Sequence, residues 1–455
     1  MPALRLPVHR SRRKPVSRGQ ALFSALALGI GLVMAPAAQA QNLKELYEAA
    51  RGYDAAYRAA QALAQSAEYR VAAVEGLARP SAALQGNASL GRVDPPVGGG
   101  GDSNSLGASV RARYPIINRA NDASIAQARR SLEVAKADLD TAEQDLMVRV
   151  AQAYFDVLAS LDTLATVRAN KAAITEQLAS AKRNFEVGTA TITDTREAQA
   201  KYDKAVADEI ASENDLRSKR IALDQLVGRS GIEPRPVVLP GSLPPVLPAD
   251  PEAWVNVGDA QHPSVRRARV GLEIARLETT KARASESYTL DAVGAVGATR
   301  ASGSTLSGFS GITRSASVGV EFNMPLYTGG QTQNRIQETL LLEEKARQDV
   351  ESARRGIAQG TRVAYFGVVS GQAQVKALEA AEASSKLALE ATQLGYRVGV
   401  RVNLDVLNAQ TQLYQTQRDL AKARYDVLLG SLRLRQASGQ LQGSDIDAVN
   451  TLLAR

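Results

Sequence analysis

The chain of 455 residues contains no cysteine, only two histidines and one tryptophan, and only 4% of its residues are aromatic. The absence of cysteine excludes disulfide bonds, thiolate metal ligands, a thiol nucleophile and a lipid anchor on an amino-terminal cysteine. Because His9 and His262 are the only histidines, histidine-rich metal sites and most histidine-based acid–base catalysis are also excluded. We therefore expect no enzyme activity, no cofactor and no metal.

The net charge of +8 comes mostly from residues 1–40, which contain six lysines and arginines and no acid. The remainder carries a net charge of +2, which gives nucleic-acid binding no support. A basic stretch up to Arg18 precedes an uncharged run that ends in a small-x-small pattern at 38–40. We predict a cleaved signal peptide over 1–40 and an exported chain from about Gln41. An uncleaved membrane helix is the alternative.

Long helical patterns dominate the chain, and from Ile125 apolar and small residues fall in heptads. In the last helix a row of large residues runs beside a row of small ones, a pattern typical of closely packed coiled coils. The large row is Val406, Leu413, Leu420, Val427, Leu434 and Leu441, and the small row is Ala409, Thr416, Ala423, Gly430 and Ala437. Residues 118–187 predict a helix of about 100 Å, far longer than those of globular domains. A soluble helical bundle is the alternative.

Two predicted β-hairpins, over 81–114 and 288–325, interrupt the helices. Their strands alternate between apolar and polar side chains over about ten residues, the length of a tilted membrane-spanning strand. Tyr114, Tyr288 and Tyr327 lie where strands meet helices, as aromatic residues at a membrane interface would. The alternation by itself also fits two soluble hairpins.

The chain contains a two-fold internal repeat. A shift of 211 residues places the Ala-Tyr-Phe sequence at 153–155 on the same sequence at 364–366, and Gly188 on Gly399. We predict a first repeat over 41–228 and a second over 252–440. Each consists of a helix, a β-hairpin, a very long helix, a turn near 188 or 399, and a further helix.

A proline-rich linker over 229–251 joins the two repeats and is expected to be extended and semi-rigid. Residues 441–455 are expected to form a carboxy-terminal tail.

Membrane strands have a geometric consequence for assembly. Open strand edges cannot face lipid because their backbone groups would lack partners, and four strands are too few to close a barrel. Several copies of the chain must therefore contribute strands to one shared barrel. A dimer would supply eight strands and a trimer twelve, and only the larger barrel leaves a wide lumen.

Several sequence segments resemble the TolC family of trimeric outer-membrane channels. The similarity covers residues 41–440 and is most specific in five segments: 153–158, 184–188, 192–194, 324–330 and 423–426. It implies a mainly α fold in which long coiled-coil helices form an α-barrel across the periplasm. Four strands from each protomer would complete a shared twelve-stranded membrane β-barrel.

The resemblance also implies a function, an outer-membrane location and a set of partners. The protein would be a homotrimeric exit duct in contact with outer-membrane lipid, carrying drugs or secreted proteins. Its partners would be a periplasmic adaptor and an inner-membrane ABC or proton-driven transporter. A soluble periplasmic coiled-coil adaptor or structural protein is the alternative, and a periplasmic enzyme is a further one.

Candidate functional residues lie at the two helix–helix turns. Gly188 and Gly399 allow the chain to reverse because glycine tolerates positive φ. By resemblance, these turns close the periplasmic mouth. Asp194 matches the family's carboxylate in the first turn region, whereas Tyr396 and Arg401 match its partners in the second. We expect Arg401 to pair with Asp194 across neighbouring helices.

A ring of negative charge is expected beside the second turn. By resemblance, Asp405 is one of two aspartates that surround the lumen, and Asn408 occupies the position of the other. This departure leaves one carboxylate ring in place of two. The alternative for both Asp194 and Asp405 is a structural role in the first turn of a helix, where the helix dipole favours anions.

Overall fold

The computed structural model describes residues 41–93, 101–237, 244–303 and 311–452. The predicted signal peptide lies outside the described residues. The first repeat contains helices α1 (Leu43–Tyr53) and α2 (Ala55–Glu75), strands β1 (Ser81–Val93) and β2 (Gly101–Ile117), and helices α3 (Arg119–Glu186) and α4 (Ile192–Val227). The second contains α5 (Pro251–Gln261), α6 (Pro263–Ala284), β3 (Thr289–Ser302), β4 (Gly311–Asn323), α7 (Gln331–Arg397) and α8 (Asn403–Ala437), followed by α9 (Gly443–Asn450). The mainly helical fold and its two-fold repeat are confirmed.

The two longest helices, α3 and α7, have 68 and 67 residues. Each is therefore about 100 Å long, as the sequence predicts for 118–187. The start of α3 is capped by the Asn118 side chain, which accepts a hydrogen bond from the Asn121 backbone N–H at 3.0 Å. Among the described residues, no helix combines the length and the hydropathy of a membrane span.

The four strands form one antiparallel sheet in the order β1-β2-β3-β4. They have 13, 17, 14 and 13 residues, so each exceeds the predicted length of about ten. Strand β2 continues beyond 114 to Ile117 through a register shift after Pro115. The strands are longer because their pairing continues past the alternating apolar segment, at both ends of β1 and β2 and towards the connecting loop in β3 and β4.

The largest core cluster lies where α1, α3, α4, α8 and α9 meet. Tyr154 and Phe155 of α3 are fully buried there. The linker crosses this junction, and Tyr154 donates its hydroxyl to the carbonyl oxygen of Arg235 at 2.8 Å. Part of the expected tail forms α9, which buries Ile446 and Val449 in the same cluster. The junction thereby connects the linker and α9 to the long helices.

Candidate functional site

The two turns that connect the long helices to their successors have the same backbone conformation. Gly188 and Gly399 both have φ 81°, a left-handed value that glycine adopts at little cost. The backbone N–H of Gly188 donates to Phe185 at 3.0 Å, and that of Gly399 donates to Tyr396 at 3.1 Å. The structure therefore places a tight reversal at both predicted glycines.

Asp194 forms a capping box at the start of α4. Its carboxylate accepts from the Thr191 backbone N–H at 2.9 Å and from the Thr191 hydroxyl at 2.7 Å. In return, the Thr191 side chain accepts from the Asp194 backbone N–H at 3.2 Å. These contacts satisfy donors at the helix start, so within one protomer Asp194 has the structural role that the sequence left open.

The second turn lacks this capping box. Val402 occupies the N-cap position of α8 and has no side chain that could accept a hydrogen bond. Asp405 instead lies 3.5 Å from the Arg401 guanidinium, an exposed pair of the kind that is worth about 0.2–1 kcal/mol. Within one protomer Arg401 and Asp194 thus contact Asp405 and Thr191, and not each other. The expected Arg401–Asp194 pair across neighbouring helices stays a prediction.

Two side-chain hydrogen bonds join the helices of the first turn to those of the second. The Asn184 amide donates to the Tyr396 hydroxyl at 3.2 Å, near the ends of α3 and α7. The Lys201 ammonium group of α4 donates to the Asn408 amide oxygen of α8 at 3.0 Å. Tyr396 and Asn408 thus contact the opposite repeat, although the partner of Tyr396 is an amide and not Asp194.

Apolar packing reinforces these links near the turns. Leu407 of α8 is fully buried in a cluster with Ile174, Leu178 and Ala181 of α3 and Ala198 of α4. The helix α8 is therefore held against both α3 and α4 by packing as well as by hydrogen bonds.

Asn403, the first residue of α8, is an unusual buried residue. It is 3% exposed, yet neither polar atom of its side chain has a hydrogen-bond partner among the described residues. Burial without a partner costs about 1–3 kcal/mol for such a group. One feature of the sequence points to this buried amide: at the 211-residue shift, Asn403 stands where the first repeat has the apolar Ile192.

The sheet has two faces of different chemistry. Cross-strand register aligns Leu84 with Val110, Val110 with Val296 and Val296 with Ala316. The exposed large apolar residues of this face are Leu84, Leu90, Leu106, Val110, Val296, Ile312, Val318, Val320 and Phe322. The opposite face is mostly small and polar: Gln85, Asn87, Ser89, Ser103, Ser105, Ser109, Thr299, Thr313, Ser315 and Ser317. One face thus suits lipid and the other suits water.

Aromatic side chains lie at the helical end of the apolar face. Tyr288 stacks on Phe322 with ring centroids 5.6 Å apart, and Tyr114 and Tyr327 are exposed. On the polar face near this end, Arg113 lies 2.6 Å from the buried carboxylate of Asp291. The aromatic positions match those of a membrane interface.

The helix α7 exposes more apolar surface than α3. Among the large apolar residues of α3, only Phe185 at its end is exposed, whereas seven are exposed on α7: Leu341, Leu342, Val363, Phe366, Val369, Leu387 and Leu394. Phe366, Leu387 and Leu394 are separated by multiples of seven residues and form one heptad row. Such a row is typical of a surface that another helix covers.

Nothing in the described residues forms a catalytic constellation. His262 caps α6, and its Nδ1 accepts from the Ser264 backbone N–H at 3.1 Å; burial lowers the pKa of the imidazole. No three histidine, aspartate or glutamate side chains cluster as a metal site within the part of the chain that the structure describes.

Comparison with known proteins places this architecture in a family. The model of the outer membrane efflux protein family matches residues 41–229 and 255–440. TolC of Vibrio cholerae is 32% identical over 94% of this chain and 97% of its own length. The alkaline protease secretion protein AprF of Pseudomonas aeruginosa is 32% identical over 67% of this chain and 64% of its own length.

Solved structures share the fold. CusC superposes with a TM-score of 0.76 at 17% identity, covering 88% of this chain and 92% of the other. The outer-membrane channel OprN has a TM-score of 0.75 at 17% identity, covering 88% and 90%. With its matching sequence, strands and long helices, the chain belongs to the outer membrane efflux protein family.

Proposed function

We propose that this protein is the outer-membrane exit duct of an export system that carries drugs or secreted proteins from an inner-membrane pump to the exterior. The observation that carries the proposal is a four-stranded sheet with one continuous apolar face, joined directly to helices of about 100 Å. The sheet meets lipid and the helices extend into the periplasm. A cleaved signal peptide over 1–40 exports the chain.

The free edges of the sheet support a homotrimer. Strands β1 and β4 have no partner on their outer edges among the described residues, and unpaired backbone groups are costly in lipid. Pairing β4 of one copy with β1 of the next removes both edges. Three copies give twelve strands and a lumen, whereas eight strands leave an interior that side chains fill.

The exposed heptad row of α7 supports the same assembly in the helical part. Phe366, Leu387 and Leu394 would be covered by a helix of the neighbouring copy, which would continue the barrel below the membrane. Apolar surface of this extent is otherwise unfavourable in water.

The two turns form the periplasmic mouth in this proposal. The Asn184–Tyr396 and Lys201–Asn408 hydrogen bonds hold α7 and α8 against α3 and α4 when the mouth is closed. Three copies of Asp405 surround the opening as a single ring of carboxylates. Arg401 lies beside each carboxylate and moderates its charge.

Relatives support both kinds of cargo. BepC of Brucella suis is named an outer membrane efflux protein, and AprF is named for protease secretion. Both cargo classes can use one fold, because a smooth duct carries what its pump supplies. A periplasmic adaptor and an inner-membrane ABC or proton-driven transporter are the implied partners.

Three measurements test the proposal. The mature protein in mild detergent should have the mass of three protomers, and it should conduct ions when added to planar bilayers. Fractionation of cells should recover it with the outer membrane. Recovery in the soluble or inner-membrane fraction, or a monomer that conducts, would favour the adaptor alternative or a different assembly.

A further inference from the structure

The apolar face of the sheet ends in arginines on the side away from the helices. Arg300 of β3 and Arg314 of β4 belong to the same face as Val296 and Val318, according to the cross-strand register. We propose that Arg300 and Arg314 together bind the phosphate of an anionic lipid headgroup in the outer leaflet. The inference rests on the membrane insertion proposed above.

The register brings the two guanidinium groups together. Arg300 pairs with Ile312, and Arg314 pairs with Ala298, so the two arginines are diagonal neighbours on adjacent strands. Diagonal neighbours on one face have Cα atoms about 7–8 Å apart, within reach of long side chains. Two guanidinium groups at this separation can contact one phosphate from two sides, each through paired N–H donors.

Neither arginine has an acidic partner among the residues that the structure describes. Both are exposed, and neither forms a hydrogen bond or ion pair with another described residue. The described residues on this face of β3 and β4 include no carboxylate. On β2, Asp102 contacts Arg92 at 3.8 Å. The cationic pair therefore lies among Leu106 and Ile312 without a counter-ion from the sheet.

The depth of the pair matches a headgroup. Arg314 is eight residues from Phe322, which lies with Tyr288 at the helical end of the face. At ~3.4 Å per residue and a strand tilt of ~40°, this separation spans about 20 Å of the membrane, and Arg300 lies about 5 Å further. The apolar band of such barrels is about 25 Å tall. Arginine thus occupies the level of the outer headgroups, where an unpaired cation attracts phosphate.

Lipid binding by purified trimers tests the assignment. The full mature protein in a nonionic detergent is titrated with lipid A, a glycolipid with two phosphates, or with phosphatidylcholine, and bound lipid is counted by native mass spectrometry. We expect retention of lipid A over phosphatidylcholine. The double variant Arg300→Gln with Arg314→Gln should lower the affinity for lipid A at least tenfold.

A matched control removes an arginine from the polar face of the same sheet. Arg111 is exposed and pairs with Ala295 on that face, so Arg111→Gln should leave lipid A binding unchanged. Equal binding by the double variant, or equal loss in the control, would overturn the assignment. Full competition by millimolar inorganic phosphate would overturn the lipid as ligand and indicate a simple anion site.

Failure of the assignment can be told apart from failure of the proposed duct. Trimer mass and conductance in phosphatidylcholine bilayers measure the duct alone, and the double variant should retain both. If the protein forms conducting trimers but does not prefer lipid A, the proposed duct stands and the lipid assignment to Arg300 and Arg314 fails. One that forms no trimer contradicts the duct itself.

Discussion

At the scale of single residues, the repeated Ala-Tyr-Phe sequence shows what the sequence could and could not predict. Tyr154 and Tyr365 occupy equivalent positions, and each donates its hydroxyl to a backbone carbonyl of the linker, at Arg235 and Ala249. Burial raises the pKa of Tyr154, which keeps its hydroxyl protonated as a donor. The repeat was visible in the sequence, whereas these acceptors were not, because a backbone carbonyl has no sequence signature.

The mouth residues were only partly predictable for a related reason. Residue types and spacing located both turns, and the positive φ of Gly188 and Gly399 follows from them. The pairing of Arg401 did not follow, because a carboxylate four residues further along the chain, in the first turn of α8, competes with one on α4. Asp405 is the nearer partner, and Asp194 is already engaged by Thr191.

Asp405 yields a prediction at this scale. In the proposed trimer, three carboxylates around one narrow opening should favour cations, since a constriction lined by one sign of charge concentrates counter-ions. Asp405→Asn should therefore reduce cation preference, measured as the reversal potential of single channels under a salt gradient. Asp349→Asn serves as the control, because Asp349 lies near the start of α7, far from the turn at Gly399, and pairs with Lys345. Unchanged selectivity in Asp405→Asn would show that Asp405 serves only the helix start.

At the scale of elements, the helices were predicted better than the strands. Helix α3 ends within a residue of the predicted bounds because Asn118 and the turn glycine are local signals. The strands exceed the predicted length because backbone pairing continues where the apolar alternation has stopped. The register shift at Pro115 likewise depends on the neighbouring strand, which the local sequence does not specify.

The unequal capping of α4 and α8 predicts unequal stability of the two turns. Val402→Thr would place a hydroxyl where Thr191 stands in the first repeat and would allow a capping box with Asp405. The start of α8 should be stabilised by about 0.5–2 kcal/mol, so hydrogen exchange at the amides of Leu404 and Asp405 should slow. Val402→Ala, which supplies no acceptor, should not slow it. Equal exchange in both variants would contradict a capping effect.

Asp54, the residue between α1 and α2, predicts that the free energy of unfolding depends on pH. Asp54 caps α2 and receives two hydrogen bonds from Arg149 of α3, at 2.9 and 3.0 Å. These bonds hold the pKa of Asp54 below its usual value. The stabilisation is therefore fully present above the unfolded pKa of about 3.9 and is lost as pH falls through the folded pKa.

Asp54→Asn isolates this charge, because asparagine still caps a helix. The variant should lose about 1–2 kcal/mol of unfolding free energy at neutral pH, since Arg149 is partly exposed and its hydrogen bonds are partly screened. The difference from the wild type should shrink in acid. Denaturant unfolding at several pH values measures this, with Asp122→Asn at an exposed aspartate as control. A difference that stays constant with pH would rule out the charge as its cause.

At the scale of the whole molecule, one protomer leaves surfaces uncovered that a membrane channel would need to cover. Its sheet has two open edges, and α7 presents a heptad row of exposed apolar residues. In the proposed trimer, both features would be removed by rotation to a neighbouring copy, which would pair the strand edges and cover the heptad row. The sequence could predict the incompleteness from strand number and heptads, but not which helix remains uncovered. That depends on how α1, α2, α4, α6 and α8 pack on α3, whereas α5, α6 and α8 pack on α7 and leave one of its faces exposed.

The uncovered row yields the last prediction. Leu387 is 66% exposed in the protomer and would be buried between copies. Leu387→Glu should place a charge in an apolar interface, where its desolvation is costly, and should shift the assembly towards smaller species in mild detergent. Leu387→Met preserves volume and apolar character and should leave the trimer intact. Analytical ultracentrifugation separates the species. If Leu387→Glu remains as trimeric as Leu387→Met, α7 meets solvent at this position, and the copies contact one another through a different surface.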